Sequence, residues 1–293
     1  MKPAPFAYHR PDTLEHALQL LDQHGPDAKP LAGGQSLVPA MNFRLAQPSV
    51  LVDLNRIASL AGLDALDNGG VRIGGMTRQQ TVERSAVVAD RAPLIAATMP
   101  WIAHPPIRTR GTIGGSLAHA DPAAELPAVM LALGATIGAH SRAGARSIPA
   151  SDFFVGLFAT ALMPGELVVE VSVPPLPRGA GWAMDEIARR HGDFALAGVV
   201  AVVVLSDGGQ VASAAIALIG AHDRAVRASA AERVLIGAAP STAVLREAGD
   251  AAARLDADPG SDVHASAAYR RHLVSVLVPR VVARAASRAV VSP

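Results

Sequence analysis

The stretch TIGGSLAHADPAAELPA, residues 112–128, is the part of the sequence that decides the expected fold. Its first five residues, the second glycine segment (residues 112–116), place the pair Gly114 and Gly115 between hydroxyl-bearing residues. Adjacent glycines let a backbone approach a ligand closely and present consecutive N–H groups to phosphate oxygens. Asp121, followed by proline, can cap and start a helix. The stretch predicts a phosphate-binding segment before a helix, with ordinary turns and a simple N-cap as the alternative.

A similar pattern occurs about eighty residues earlier in AGGQSL, the first glycine segment (residues 32–37). Gly33 and Gly34 follow a predicted strand, and Ser36 adds a hydroxyl donor. By itself this segment is equally well explained as a strand-to-helix turn. It matches neither G-x-G-x-x-G nor G-x-x-x-x-G-K-[ST], so the sequence supports neither a Rossmann unit nor a P-loop. Two such segments in one domain favour a single large ligand that contains phosphate and contacts both.

Helical and strand patterns alternate over the first 173 residues, which predicts an α/β arrangement. The first helix has an apolar stripe that Asp12 can cap, formed by Leu14, Ala17, Leu18 and Leu21. Further helices are predicted at residues 81–90, 93–102 and 122–133. Strands are predicted at residues 29–32, 50–54, 71–74, 135–140 and 167–173.

A cluster of helix- and strand-breaking residues then predicts a linker, formed by Pro174, Pro175, Pro177, Gly179 and Gly181. Beyond it the pattern is α+β. Strands are predicted at residues 195–205 and 213–219, and helices at residues 225–236 and 264–289. Pro279 lies inside the last helix and predicts a kink or break near Val278.

Composition excludes several classes of protein. Of the 293 residues, 50% are hydrophobic and 17% charged, so the chain can bury a core and is not disordered. The net charge of +1 provides no general attraction for nucleic acid. Apolar runs fall short of the roughly 20 residues of a membrane-spanning helix, and the N-terminus lacks the apolar core of a secretory signal. We therefore expect a cytoplasmic protein.

The absence of cysteine excludes thiolate metal sites, cysteine-ligated iron–sulfur clusters and cysteinyl-flavin bonds on this chain. The ten histidines show no metal-binding spacing. Ser36 and Ser116 do not lie in G-x-S-x-G, so we expect no hydrolase nucleophile. Arg108 and Arg110 can either steady phosphates or form ion pairs on the surface.

The two glycine segments and their context resemble the FAD-contacting motifs of the medium, flavin-carrying subunit of molybdenum hydroxylases. This family includes the carbon monoxide and xanthine dehydrogenases. The likeness continues in three later stretches, which are EIARRHGDFAL (186–196), AERVLIG (231–237) and YRRHL (269–273). It covers nearly the whole chain.

The resemblance implies an α+β protein with two domains. Residues 1–176 are expected to form an FAD-binding domain of the vanillyl-alcohol-oxidase (PCMH) type, made of two α/β subdomains at about residues 1–56 and 57–176. Residues 177–293 are expected to form a smaller α+β domain like the C-terminal domain of the carbon monoxide dehydrogenase flavoprotein. FAD, held without a covalent bond, is expected to lie between them.

The resemblance also implies which residues contact FAD: Ala32, Gly33, Gly34, Gln35, Ser36, Leu37, Thr112, Ile113, Gly114, Gly115, Ser116, Asp121 and Phe194. The glycine segments would surround the pyrophosphate through backbone N–H groups and hydroxyls, and Asp121 would contact or shape the nucleotide portion. Phe194 stands where relatives place a Tyr near the isoalloxazine ring. A phenylalanine can still pack against the isoalloxazine ring, but it cannot make the hydrogen bond of the tyrosine hydroxyl.

In this family the work is divided among subunits, so the resemblance implies no catalytic acid–base residue on this chain. A large subunit would hold molybdopterin, a small subunit two [2Fe–2S] clusters, and this subunit would pass electrons through FAD to an external acceptor. A dimer of heterotrimers is the implied assembly. Two alternatives stay open: a free-standing FAD-dependent oxidase of a small alcohol or amine, and a nucleotide-binding scaffold without turnover.

Overall fold

The computed structural model describes residues 1–290 and begins with a small parallel sheet. Its strands lie in the order β1-β3-β2, so the chain crosses over after each strand. The central strand is buried on both faces, as is usual for parallel sheets covered by helices. The elements are β1 (Ala7–His9), α1 (Leu14–His24), β2 (Ala28–Leu31), α2 (Leu37–Asn42) and β3 (Val50–Asp53).

The start of α1 differs from the prediction. Thr13, not Asp12, is the N-cap, and its hydroxyl accepts a hydrogen bond of 3.2 Å from the amide of His16. Asp12 lies one residue too early for that bond and sits 3.6 Å from Arg56. Either residue type can cap a helix, so the sequence alone did not distinguish the two positions.

The next part of the chain forms an antiparallel sheet of order β4-β5-β10-β6-β7, together with a separate hairpin, β8-β9. Short helices cover the sheet. The elements are β4 (Leu63–Ala65), β5 (Val71–Gly74), α3 (Gln79–Glu83), α4 (Ala86–Arg91), α5 (Pro93–Thr98), α6 (Pro105–Arg108), α7 (Ile113–His119), α8 (Glu125–Leu133), β6 (Thr136–Ser141), β7 (Gly144–Pro149), α9 (Ala150–Phe153), β8 (Phe154–Gly156), β9 (Ala159–Thr160) and β10 (Leu167–Val173).

Two of the predicted helices are shorter than expected. The helix predicted at residues 81–90 is divided into α3 and α4, because Ser85 takes an extended conformation and its hydroxyl accepts a hydrogen bond from the amide of Val88. The helix predicted at residues 93–102 ends as α5 at Thr98 and continues only as a 3-10 turn.

Residues 174–180 contain no helix or strand, in agreement with the predicted linker. Gly181 is the exception, because it begins the next strand. A Cβ atom there would lie 1.9 Å from the carbonyl oxygen of Ala285, so glycine permits this strand to pack against the final helix. The linker therefore ends before Gly181.

The C-terminal part is a four-stranded antiparallel sheet, β11-β12-β13-β14, covered by helices. Its long last helix packs on β11 and β12. The elements are β11 (Gly181–Ala188), β12 (Ala195–Leu205), β13 (Val211–Ile219), β14 (Val226–Arg227), α10 (Ser229–Leu235), α11 (Thr242–Ala251) and α12 (Ala267–Arg288). The last three residues of the predicted domain 177–293 lie outside the described residues.

Helix α12 continues past Pro279 to Arg288, so the predicted break near Val278 does not occur. Gly249 of α11 faces the proline ring, and a Cβ at that position would lie 2.8 Å from it. The neighbouring helix thus leaves room for the ring. Tertiary packing here outweighs the local tendency of proline to end a helix.

Helix α8 joins the two halves of the molecule. Every residue of this helix is buried, and it packs against β12, β13 and β14 of the C-terminal sheet. Just before the helix, the carbonyl of Pro122 accepts a hydrogen bond of 2.8 Å from the amide of Gly220. One hydrophobic core runs through both halves at this point. Throughout residues 1–290, no helix combines the length and apolar character needed to cross a membrane.

Candidate functional site

An open pocket of about 410 Å³ lies at the carboxyl edge of the parallel sheet. In parallel sheets the loops that follow the strands meet at this edge, which is a common place for ligands. The pocket is lined by Tyr8, Leu31, Ala32, Gly33, Gly34, Gln35, Val38, Pro39, Asp53, Asn55 and Arg110. It therefore contains most of the first glycine segment.

The first glycine segment offers unused backbone donors. Gly34 has φ +75°, a conformation that favours glycine. Within residues 1–290, the amides of Gly33, Gly34, Gln35 and Ser36 donate no hydrogen bond to the protein. The hydroxyl of Ser36 does not cap α2, which begins at Leu37. Free N–H groups on successive residues form a concavity that suits an anion.

The two glycine segments touch each other, as the proposal of one shared ligand requires. A Cβ on Gly33 would lie 2.4 Å from the carbonyl oxygen of Arg110 and 2.8 Å from Cα of Gly111. A Cβ on Gly115 would lie 3.3 Å from Cβ of Ala32. Gly33 is therefore needed for the close approach of two backbones.

The second glycine segment differs from the expectation, because it forms the first turns of α7 and most of its amides are already used. Ile113 donates to the carbonyl of Thr77, Gly114 to that of Gly75, and Ser116 to that of Thr112. Gly115 donates to the Thr112 hydroxyl over 3.0 Å. The amides of residues 113–116 therefore all have acceptors within the protein. Its glycines instead allow close packing, since a Cβ on Gly114 would lie 2.7 Å from the Gly75 carbonyl oxygen.

Replacing the N-cap Thr112 by valine is expected to destabilise the chain by about 1 kcal/mol, because the buried hydroxyl caps α7 through the Gly115 amide. Unfolding by urea would measure the loss. Thr112→Ser keeps the capping hydroxyl and is expected to recover most of the stability. A loss in Thr112→Ser with none in Thr112→Val would show that the methyl group, not the cap, is responsible.

Of the predicted site residues, Ala32, Gly33, Gly34 and Gln35 line the pocket. Ser36, Leu37, residues 112–116, Asp121 and Phe194 do not. The carboxylate of Asp121 accepts a hydrogen bond of 2.9 Å from the amide of Ala123, which forms a turn. Helix α8 begins only at Glu125, after Ala124, so the prediction that Asp121 caps it is wrong. Phe194 lies between β11 and β12 with 64% of its surface exposed.

The structure separates the two arginines that the sequence left ambiguous. Arg108 is buried, makes a two-pronged ion pair with Glu83 at 2.9 and 3.0 Å, and donates to the carbonyls of Ile102 and Ala103. It is therefore committed to the protein. Arg110 lines the pocket and brings a positive charge to it.

Sequence reasoning missed a polar network beside the pocket. Tyr8 donates to the carboxylate of Asp53, which also accepts hydrogen bonds from the amide and side chain of Asn55. Although burial opposes it, these hydrogen bonds lower the pKa of Asp53. The side chain of Asn55 also donates to the Ala32 carbonyl at 3.0 Å and accepts from Arg78. The available signal was the pair Asp53 and Asn55 directly after a buried strand.

Two buried carboxyl groups lie where the two halves meet. Glu125 is the first residue of α8, and Glu186 lies in β11 opposite Gly198, whose lack of a side chain leaves room for it. Within residues 1–290 neither acid forms an ion pair, and Oε2 of Glu186 has no hydrogen-bond partner. Burial raises the pKa of Glu125 to about 7. Burial and repulsion by Glu125 and Asp185 raise the pKa of Glu186 to about 9.

Comparison with known protein families accounts for both halves of the chain. Residues 4–176 match the model of the FAD binding domain in molybdopterin dehydrogenase. The chain belongs to the FAD-binding subunits of the molybdenum hydroxylases. Residues 182–285 match the CO dehydrogenase flavoprotein C-terminal domain. The predicted family, the FAD-binding domain and the C-terminal flavoprotein domain are confirmed.

Individual relatives of this family align over almost the full chain. The 6-hydroxypseudooxynicotine dehydrogenase complex subunit alpha of Paenarthrobacter nicotinovorans is 46% identical, with 99% of this chain and 97% of the relative covered. The carbon monoxide dehydrogenase medium chain of Afipia carboxidovorans is 40% identical, with 99% of each covered. A chain in the structure of carbon monoxide dehydrogenase from Hydrogenophaga pseudoflava superposes with a TM-score of 0.96 at 40% identity, covering 99% of this chain and 100% of that one.

Membership in this family of FAD-binding subunits makes the chain an oxidoreductase subunit with FAD as its cofactor. Molybdopterin and iron–sulfur centres belong to other subunits of such complexes. The pocket fits a pyrophosphate, because it is lined by free amides of Gly33, Gly34 and Gln35 and by the cationic residue Arg110. The relatives are named as chains or subunits of complexes, which implies partner subunits for this chain as well.

Proposed function

We propose that this chain carries one noncovalently bound FAD and transfers electrons from the [2Fe–2S] clusters of a partner subunit to an external acceptor. The observation that carries the proposal is the pocket in which unused glycine amides and a cationic side chain meet, in a chain of the FAD-subunit family. Substrate oxidation would take place on a molybdopterin subunit, and the complete assembly would be a dimer of heterotrimers in the cytoplasm.

The FAD pyrophosphate would lie against the first glycine segment. Its oxygens would accept hydrogen bonds from the free amides of residues 33–36 and from the Ser36 hydroxyl, while Arg110 would supply a compensating charge. From the second segment, Thr112 and Ser116 would contribute hydroxyls. Ile113, Gly114 and Gly115 would shape the wall by close packing.

Other residues would contact the cofactor farther from its pyrophosphate. Asp121 would shape the nucleotide part of the site through its turn, and Phe194 would pack near the isoalloxazine ring. Such a role is compatible with the exposure of Phe194, because an apolar side chain left open to solvent gains most from being covered by a flat ring. The FAD-binding domain would extend over residues 1–176 and the C-terminal domain over residues 177–293.

FAD supplies an electron acceptor that can be loaded from one-electron donors and emptied to different oxidants. The chain's contribution is then to bind and orient this cofactor between its partners. A free-standing alcohol or amine oxidase is the less favoured reading, because the relatives with which this chain aligns are subunits of larger dehydrogenases.

Isolation of the native complex tests the proposal. About one FAD for each copy of this chain is expected, together with molybdenum and iron on two further chains. After FAD is removed, substrate is still expected to reduce the iron–sulfur clusters, as seen by electron paramagnetic resonance, while reduction of the external acceptor stops. Readdition of FAD should restore it. An isolated, flavin-loaded chain that oxidises an alcohol or amine unaided would overturn the proposal.

A further inference from the structure

Arg78 binds two residues that lie next to the two glycine segments, Asn55 and Arg110. It is the N-cap residue of α3, and its guanidinium makes two hydrogen bonds to different parts of the chain. Nη1 donates to the carbonyl oxygen of Arg110, and Nη2 donates to Oδ1 of Asn55. The planar guanidinium can hold two such acceptors in a fixed relation, which a lysine ammonium cannot do in the same way.

Both acceptors are tied directly to the glycine segments. The Arg110 carbonyl oxygen is the atom that approaches Gly33 most closely. Asn55, the other acceptor, donates through Nδ2 to the carbonyl of Ala32 at 3.0 Å. The guanidinium therefore holds the backbone just before the second glycine segment directly, at Arg110. It holds the first glycine segment indirectly, through the side chain of Asn55. Asn55 belongs to the first expected subdomain (about residues 1–56), and Arg78 and Arg110 belong to the second (57–176). These contacts therefore connect the two subdomains.

The positive charge of Arg78 is not balanced by a carboxylate. None of the ion pairs within residues 1–290 includes Arg78, and the nearest acid in the network, Asp53, is already engaged by Tyr8, Asn55 and Arg10. Burial and the neighbouring charge of Arg110 lower the pKa of Arg78, while the charge of Asp53 acts in the opposite direction. Because that carboxylate already accepts hydrogen bonds from Tyr8 and Asn55, it offsets the two guanidinium charges only in part, and the remaining local field favours an anion.

Arg78 lines a smaller pocket of about 210 Å³ that shares Asn55 with the main pocket. Arg78 does not line the main pocket itself. A movement of its side chain would reach the main pocket through the hydrogen bonds to Asn55 and to the Arg110 carbonyl. Its hydrogen bonds are therefore in a position to determine the geometry of the site before a ligand binds.

We propose that Arg78 is a positioning residue for the cofactor, which holds the two glycine segments at a fixed separation and is electrically compensated when a pyrophosphate binds. This inference rests on the proposed function and adds a residue that the glycine motifs do not contain. Arg78 acts through the backbone carbonyls of Ala32 and Arg110 and through its charge.

Calorimetric titration of the full-length, flavin-free chain with FAD and with ADP tests the inference. ADP carries the pyrophosphate and lacks the flavin. Arg78→Met is expected to weaken both ligands by a similar factor of about 10 or more, because hydrogen bonds to a charged group are lost. Arg78→Lys keeps the charge and loses the two-pronged geometry, so it is expected to bind with intermediate affinity.

The salt dependence separates positioning with charge compensation from a purely structural role. Wild type and Arg78→Lys are expected to show similar weakening of ADP binding with added salt, and Arg78→Met a smaller one. Arg84→Met, at the exposed end of the same helix, is the matched control and should behave as wild type. Thermal melting of each flavin-free variant checks that it is folded.

The outcomes distinguish this inference from the proposed function. A wild-type chain that is folded and binds neither FAD nor ADP would contradict both. If wild type binds FAD and Arg78→Met binds it equally well, only the role of Arg78 is disproved. The same holds if Arg78→Met weakens FAD and leaves ADP unchanged, since the contact would then not concern the pyrophosphate half.

Discussion

Gly33→Ala is expected to produce a folded chain that loses its FAD. The new Cβ would lie 2.4 Å from the Arg110 carbonyl oxygen and 2.8 Å from Cα of Gly111, and both are backbone atoms that cannot rotate away. The first glycine segment must move away from the backbone of residues 110–111 to relieve this contact. Overpacking of this kind costs roughly 1–3 kcal/mol, so the affinity for FAD should fall by up to about 100-fold.

Fluorescence titration of FAD into the flavin-free protein would measure this loss. Gly260→Ala is the matched control, because a Cβ at Gly260 meets open space. The control is expected to bind FAD as wild type does. The overpacking also strains the flavin-free chain, so its melting temperature is expected to fall by a few degrees while the variant stays folded at the temperature of the titration. Normal FAD affinity in Gly33→Ala would show that the segments need not touch for binding.

The wild type is expected to lose stability as the pH rises from about 4.5 to about 9, and Glu186→Gln is expected to remove this loss. The pKa of Glu186 is raised from an ordinary value of 4.5 to about 9 in the folded protein. Stability associated with the neutral acid is complete below about pH 4.5, and it is lost as the pH rises through the folded value near 9. Glutamine has nearly the same shape and stays neutral at every pH. The free energy of unfolding of the variant should therefore lack this decrease with rising pH.

The expected difference follows from the size of the shift. One pKa unit corresponds to about 1.4 kcal/mol in the free energy of unfolding. Relaxation of the protein and entry of water make the real loss of stability smaller than the whole shift would give. We expect the variant to be more stable than wild type by about 2 kcal/mol at pH 9 and close to it at pH 5. Urea unfolding at both pH values would measure the difference.

Glu15→Gln provides the control for this comparison, because Glu15 is exposed in the first turn of α1. Its pH profile should follow that of wild type. The interpretation also predicts that Glu125→Gln weakens the alkaline slope, since Glu125 is one cause of the raised pKa of Glu186. Parallel pH profiles for wild type and Glu186→Gln would show that Glu186 is ionised and solvated in the folded protein.

Much of the fold was predictable because it depends on local patterns. Strands β5, β10 and β12 have the predicted limits, since each is an apolar run bounded by turn-forming residues. The lack of helix and strand at residues 174–180 was predictable for the same reason, because prolines and glycines act on their own part of the chain. Strand β11 was missed, because it begins at one of the predicted breakers, Gly181, and two acidic residues, Asp185 and Glu186, interrupt its apolar pattern.

The errors fall where a distant contact changes a local preference. Helix α12 accommodates Pro279 because Gly249 of another helix faces the ring. The amides of α7 are occupied because residues near β5 accept their hydrogen bonds. No pattern within either segment contains that information.

Taken alone, the sequence determined the kind of site in this protein. Two glycine pairs allow a backbone to approach a ligand or another backbone closely, and a chain without cysteine cannot hold a cysteine-ligated iron–sulfur cluster. Tertiary structure decided which groups are available to a ligand. It buried Arg108 against Glu83, left Arg78 without an acid, and brought Glu125 and Glu186 together. The physical reason is that charge compensation and hydrogen bonding depend on distance in space, whereas the partners in these contacts lie at least 23 residues apart in the chain.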